Sequence, residues 1–94
     1  MPVKWTRTAL ANLDEEAAYM AQHNPQAAAA MVEKIEKAVQ LLTDFPAMGR
    51  PGRVSGTREV VVSDTPYIVP YRVRGATVHI LRVFHTSRKW PSRL

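Results

Sequence analysis

The chain changes its hydrophobic rhythm once. Up to about residue 44 the apolar side chains recur every three or four positions, and beyond residue 57 they alternate or run together. The first rhythm belongs to helices packed by one face, the second to strands. Val3 and Trp5 alternate with Lys4 and Thr6 and predict a short opening strand. Thr6 or Thr8 then caps a helix whose stripe is Leu10, Leu13, Ala17 and Met20, with Asp14, Glu15 and Glu16 falling mostly off it. Asn24-Pro25 closes this helix and opens the next, because Asn caps and Pro at the first helical position loses no hydrogen bond. Ala28, Met31, Ile35, Ala38, Val39 and Leu42 share one face of the second helix, and Glu33 with Lys37 forms an i,i+4 pair in the favourable order. Residues 7–44 are expected to form an antiparallel helical hairpin.

Phe45-Pro46 stops the second helix. The stretch to residue 57 holds Pro46, Pro51, Gly49, Gly52 and Gly56 together with Arg50 and Arg53. A loop this long in so short a chain is often functional. Three strands are expected after it, over 58–63, 67–74 and 77–85, joined by the short links Asp64-Thr65-Pro66 and Gly75-Ala76. In the middle strand Tyr67, Val69, Tyr71 and Val73 share one face, and Ile68, Pro70, Arg72 and Arg74 the other. Pro70 has no N–H to donate and requires a bulge or an unpaired edge. The third strand is mostly apolar on both faces, which suits a central position. The order β-α-α-β-β-β predicts one α+β domain over residues 1–94, an antiparallel sheet with an N-terminal helical hairpin on one face. The sheet's other face is left partly open, with Arg72, Arg74 and Arg82 near it.

Composition narrows the setting. Ninety-four residues with no cysteine exclude disulfides and thiolate metal sites. The opening residues contain no apolar run, so no secretory signal is expected, and the longest apolar run, 27–32, is far short of the roughly 20 residues of a membrane span. A cytoplasmic protein is the expectation. Charge divides the chain at the same place as the rhythm. Residues 1–48 carry four Lys/Arg and six Asp/Glu, a net of −2, whereas residues 49–94 carry nine Lys/Arg and two Asp/Glu, a net of +7. This reads as a supporting half and a working half that meets an anionic target or a protein partner that masks its charge.

The candidate chemistry lies at the end of the last strand, in Arg82-Val83-Phe84-His85-Thr86-Ser87-Arg88-Lys89-Trp90. A histidine serves as acid or base near neutral pH, arginines stabilise a crowded anionic transition state, and a tryptophan stacks on a base. The same residues equally serve as a capped structural histidine, solubilising cations and a plug on a core edge. No phosphate-binding or dinucleotide-binding glycine motif is present, and His23, His79 and His85 have no metal spacing, so neither cofactor nor metal is expected. The serines lack the setting of an activated nucleophile. Glu59, beside Arg58, reads as an ion pair rather than a general base.

The runs Gly49-Arg50-Pro51-Gly52-Arg53-Val54-Ser55-Gly56-Thr57-Arg58-Glu59-Val60-Val61-Val62, Pro66-Tyr67-Ile68-Val69-Pro70-Tyr71-Arg72-Val73 and Val78-His79-Ile80-Leu81-Arg82-Val83-Phe84-His85 resemble the RelE/ParE superfamily. The Phe-Pro to Gly-Arg turn and the terminal His-x-x-Arg-x-Trp belong to the same resemblance, which covers nearly the whole chain. It implies a bacterial toxin of a type II toxin–antitoxin module, of the plasmid-stabilisation kind, that arrests growth until a cognate antitoxin wraps it in a hetero-oligomer. On that picture Leu13, Met20 and Met31 flank the antitoxin. The superfamily has two mechanisms. Its RelE branch cleaves mRNA, usually on the ribosome and without a metal, and its ParE branch inhibits DNA gyrase. RelE-type toxins typically read Arg-Leu-Val-Tyr in the middle strand, where this chain has Ile68-Val69-Pro70-Tyr71. Isoleucine in the arginine's place favours a gyrase inhibitor with no catalysis of its own, gripping its target with Arg50, Arg53, Arg58, Arg82, His85, Arg88, Lys89 and Trp90. The alternative is an mRNA endonuclease (mRNA interferase) using Arg58, His85 and Trp90. A plain nucleic-acid-binding module is the third reading.

Overall fold

Thr6 decides where the first helix starts. Its backbone is extended, its hydroxyl oxygen accepts from the Ala9 N–H at 3.1 Å, and its O–H donates to the Ile80 carbonyl at 2.8 Å. One side chain therefore caps α1 (Arg7–Ala21) and fastens it to the sheet. Asn24 caps α2 (Pro25–Gln40) in the same way through Ala27, with Pro25 in the first turn. A 3₁₀ turn, Leu41–Thr43, extends α2, and the hairpin is as expected. Glu33 and Lys37 pair at 2.8 Å on its exposed side, which holds the Glu33 carboxyl below its ordinary value. The computed structural model describes residues 1–87, 89, 90 and 94.

The strands are β1 (Val3–Trp5), β2 (Arg50–Pro51), β3 (Arg58–Val61), β4 (Tyr67–Arg74), β5 (Thr77–Ile80) and β6 (Phe84–His85). They form a sheet in the order β1-β5-β4-β3-β2, with β6 also paired to β4. The sheet is antiparallel except at one edge, where β1 runs parallel to β5 because the whole hairpin intervenes between β1 and the rest. The long loop is not wholly irregular, since Arg50 and Pro51 pair with Glu59 and Arg58.

The expected strand 77–85 is broken. Tyr71 faces Ile80, yet Ile68 faces Phe84, so Val69 and Pro70 lie opposite three residues, 81–83. The Leu81 N–H donates to the Pro70 carbonyl at 3.0 Å, which places Pro70's missing donor on the same side. The bulge sits where no N–H exists to continue the ladder. The Val83 N–H, released from the ladder, donates to the Asn12 side-chain oxygen on α1 at 3.2 Å.

The core lies between the hairpin and one face of the sheet. It contains Ala9, Leu13, Met31, Ile35, Val39 and Leu42 from the helical side, and Val60, Val62, Tyr67, Val69, Tyr71, Val78, Ile80 and Val83 from the other. Of the expected α1 stripe, Leu13, Ala17 and Met20 pack on the core, and only Leu10 fails. Ala9 is fully buried and Leu10 is 47% exposed, and Glu16, expected off the stripe, is buried. Positions 9, 13, 16, 17 and 20 make the inward face.

Candidate target-binding surface

Strand register sorts the candidate residues onto two faces. Glu59 faces Arg50 on β2 and Pro70 on β4, so these three lie on the outer face, away from the helices. Arg58 faces Tyr71, and His85 faces Tyr67, so both lie on the helical side.

On the outer face Glu59 is 2% exposed and holds the basic loop. One carboxylate oxygen accepts from Arg50 Nε at 3.1 Å and lies 3.1 Å from Arg50 Nη2, and the other accepts from the Arg53 backbone N–H at 2.9 Å. Arg53 Nε stands 4.0 Å from that second oxygen. A buried carboxylate needs such partners to offset its desolvation. The ion pair expected for Glu59 therefore exists, but with Arg50 and Arg53. Its sequence neighbour Arg58 points to the opposite face, as alternation demands. Both loop arginines keep about half their side-chain surface in solvent. Arg53 also lies 4.1 Å from the centre of the Trp90 ring, which packs on Phe84 with centroids 4.4 Å apart. Trp90 is thus engaged by the protein's own groups, and its indole N–H is buried without a hydrogen-bond partner among the described residues.

On the helical face Arg58 is a brace. Its guanidinium donates to the Gly49 carbonyl at 2.8 Å and the Ala47 carbonyl at 3.3 Å. The adjoining Tyr71 hydroxyl donates to the Pro46 carbonyl at 2.7 Å and accepts the Gly49 N–H at 2.9 Å. A Cβ at Gly49 would stand 2.6 Å from the Tyr71 hydroxyl, so glycine is what permits this approach. His85 lies four positions along β4 from this brace, roughly 13 Å at the rise of a strand. It meets the edge of Tyr67 at 5.4 Å, and its Nδ1 accepts the Ser87 N–H at 3.2 Å, with Ser87 Oγ at 2.7 Å from the same atom. Tyr67 donates to the buried Glu16 carboxylate at 3.0 Å. These groups, with Met20 and His23, line a cleft of about 340 Å³ between the end of α1 and β6.

The remaining candidates are spread out. Arg82 sits half-buried in the bulge with its Nε lacking a partner among the described residues. Lys89 is exposed, and Arg88 lies outside the described residues. Leu13 and Met31, expected to flank a partner, are 7% and 4% exposed and belong to the core, though Met31 also lines one cleft, and Met20 lines that cleft and a second. Glu16 and Tyr67 had no place in the expected site. Glu16's spacing from Leu13 and Met20 was the signal that could have placed it inward. Among the described residues no group of three His, Cys, Asp or Glu can hold a metal, and no helix is long and apolar enough to cross a membrane.

The class defined by this arrangement is a small α+β protein that presents arginines on a braced loop and a cleft at the end of its helical hairpin. The chain belongs to the family of ParE toxins of type II toxin–antitoxin systems (parDE), whose profile matches residues 3–90. It is 48% identical over 92 residues to the putative toxin Y4kP of Sinorhizobium fredii, covering 98% of this chain and 95% of that one. It is 37% identical over 86 residues to the toxin RelE2 of Caulobacter vibrioides, covering 92% and 96%. Among solved structures it superposes on a chain of the chromosomal ParDE system from P. aeruginosa with a TM-score of 0.80 and 34% identity, over 90% of this chain and 95% of that one. The RelE/ParE resemblance and the α+β fold both hold.

Proposed function

We propose that this toxin acts by binding DNA gyrase, without cleaving RNA, and is neutralised by a protein antitoxin that occupies the helical side. The observation that carries the reading is the separation of Arg58, His85 and Trp90. Metal-independent cleavage needs its acid–base group and its charge-stabilising groups around one phosphodiester, within hydrogen-bond reach. Arg58 is consumed by two loop carbonyls, His85 lies roughly 13 Å along the strand, and Trp90 is on the other face. Ile68 supplies no cation where the RelE pattern has one. What remains is a recognition surface built on Arg50 and Arg53, and the likeness to a ParDE toxin agrees with it.

The mRNA endonuclease is the second reading, favoured by the likeness to a protein called RelE2 and by the cleft that gathers His85, Ser87, Tyr67 and Glu16. One pair of assays separates them. Purified toxin at micromolar concentration is expected to inhibit gyrase supercoiling or trap cleaved DNA, and to leave mRNA intact after induction. Absence of any effect on gyrase, with discrete mRNA cuts that His85→Ala abolishes, overturns the proposal.

A further inference from the structure

The outer face carries a second basic feature, remote from the Glu59 knot. Strand register sets Lys4 on β1 directly opposite His79 on β5, and His79 directly opposite Arg72 on β4. Neighbouring strands are about 4.8 Å apart, so the three stand in one row about 10 Å long. Arg74 follows Arg72 on the same face, one pleat further on. Lys4 and Arg74 are exposed, and His79 and Arg72 are half-buried.

Arg72 and Arg74 follow each other on one face of β4 and Lys4 stands across His79 from them, so three like charges share this face and repel unless something anionic sits among them. Nothing among the described residues does so. Among the described residues these four side chains make no ion pair or hydrogen bond. The flanking positions on the same face are Pro2, Thr77, Pro70 and Leu81. Glu59, which register places on the same face, is taken up by Arg50 and the Arg53 N–H. The four residues outside the described set carry no carboxylate either.

We infer that the Lys4–His79–Arg72–Arg74 row is a contact site for the phosphate backbone of duplex DNA. Three uncompensated cations, Lys4, Arg72 and Arg74, on one sheet face fit a ligand whose negative charge repeats without interruption, which a phosphodiester backbone has by construction. The row contains no aromatic side chain on which an unpaired base could stack, so it fits the outside of a duplex rather than a single strand. The inference goes beyond the gyrase reading, because the contact is a property of the toxin alone and is measured without gyrase.

The test is fluorescence anisotropy of full-length toxin with a short labelled duplex, titrated with salt. The logarithm of affinity is expected to fall with log salt at a slope of about −3, as for three phosphate contacts. Lys4→Gln, Arg72→Gln and Arg74→Gln should each lessen that slope by about one, while Lys4→Arg and Arg72→Lys, which keep the charge, preserve it. A slope unchanged in the triple Gln variant overturns the inference. So does displacement of the duplex by single-stranded oligonucleotide or polyglutamate at equal total charge. A failed gyrase assay with the slopes as expected would overturn the function proposed above and leave this site standing.

Discussion

Tyr71 ties the core to the loop that carries the arginines. Its ring is buried, and its hydroxyl joins the Pro46 carbonyl to the Gly49 N–H, one residue before Arg50. Tyr71→Phe keeps the ring and removes the only oxygen serving both groups. Leaving buried polar groups unpaired costs about 1–3 kcal/mol, expected as a lower urea midpoint with an unchanged denaturant slope. Burial also raises the Tyr71 pKa, against smaller opposing effects of the Gly49 N–H and the Arg58 charge. The folded state thus favours the neutral phenol. The associated stability is complete below the unfolded tyrosine value of about 10 and is lost as pH rises through the higher folded value. Wild type should lose stability over that alkaline window, and Tyr71→Phe should lack this component in urea melts taken across it. At this scale the sequence was a partial guide. Alternation put Tyr71 on the strand's inward face, and the glycine-rich turn was visible. The bond between them was not, because its partners are 22 residues apart and no local pattern encodes their meeting. Glu59 was misread for a related reason: adjacency pointed to Arg58, and the pleat turns adjacent residues to opposite faces.

The elements themselves were legible because each carries its own punctuation. Thr6 and Asn24-Pro25 mark helix starts, and Gly75-Ala76 marks a hairpin whose two central residues both have positive φ, 60° and 57°, as a primed turn requires. Pro70 announced a bulge. The break itself falls in the facing strand, where Leu81-Arg82-Val83 reads as an unbroken apolar-polar alternation and gives no warning. The extra residue has to be accommodated by α1, through the Asn12 side chain on the Val83 N–H. Asn12→Ala should therefore act on the sheet while leaving the helix's propensity no worse. A buried N–H without a partner costs at least about 1 kcal/mol, which in a domain this size lowers Tm by roughly 4–8 °C. Calorimetry checks the shift. An unchanged Tm would mean that Val83 finds another acceptor and that the helix does not hold the bulge. The bulge also offsets the pairing of β6 with β4 by one residue relative to β5, leaving Phe84 to face Ile68 and His85 to face Tyr67. The facing of the last candidate residues is thus a consequence of one proline.

At the scale of the whole molecule the charge division of the sequence becomes a division of faces. The half with net charge −2 forms the hairpin, and the half with net charge +7 forms most of the sheet, whose outer face carries Arg50, Arg53, Arg72 and Arg74. The core lies between the hairpin and the sheet's inner face, so surface changes on one side should not pass to the other unless the fold fails. Met20 is the sensitive point on the helical side, since it lines both the cleft at β6 and the neighbouring one over the β3–β4 turn. Met20→Glu places a charge among apolar contacts of any partner docked there. It is expected to weaken antitoxin binding at least tenfold, about 1.4 kcal/mol, and to leave gyrase inhibition by free toxin unchanged. The double variant Arg50→Gln/Arg53→Gln, which removes the charges but keeps a donor for the buried Glu59 carboxylate, is expected to do the reverse, abolishing inhibition while antitoxin affinity changes less than about twofold, under 0.5 kcal/mol. Titration calorimetry with antitoxin and a supercoiling assay, run on both variants, read the two effects independently. If each variant impairs both readouts while its thermal melt stays that of wild type, antitoxin and target share one surface, and neutralisation works by direct competition for the arginines. If the effects separate, the antitoxin holds the toxin by its helices and must block the target by bulk rather than by covering the arginines.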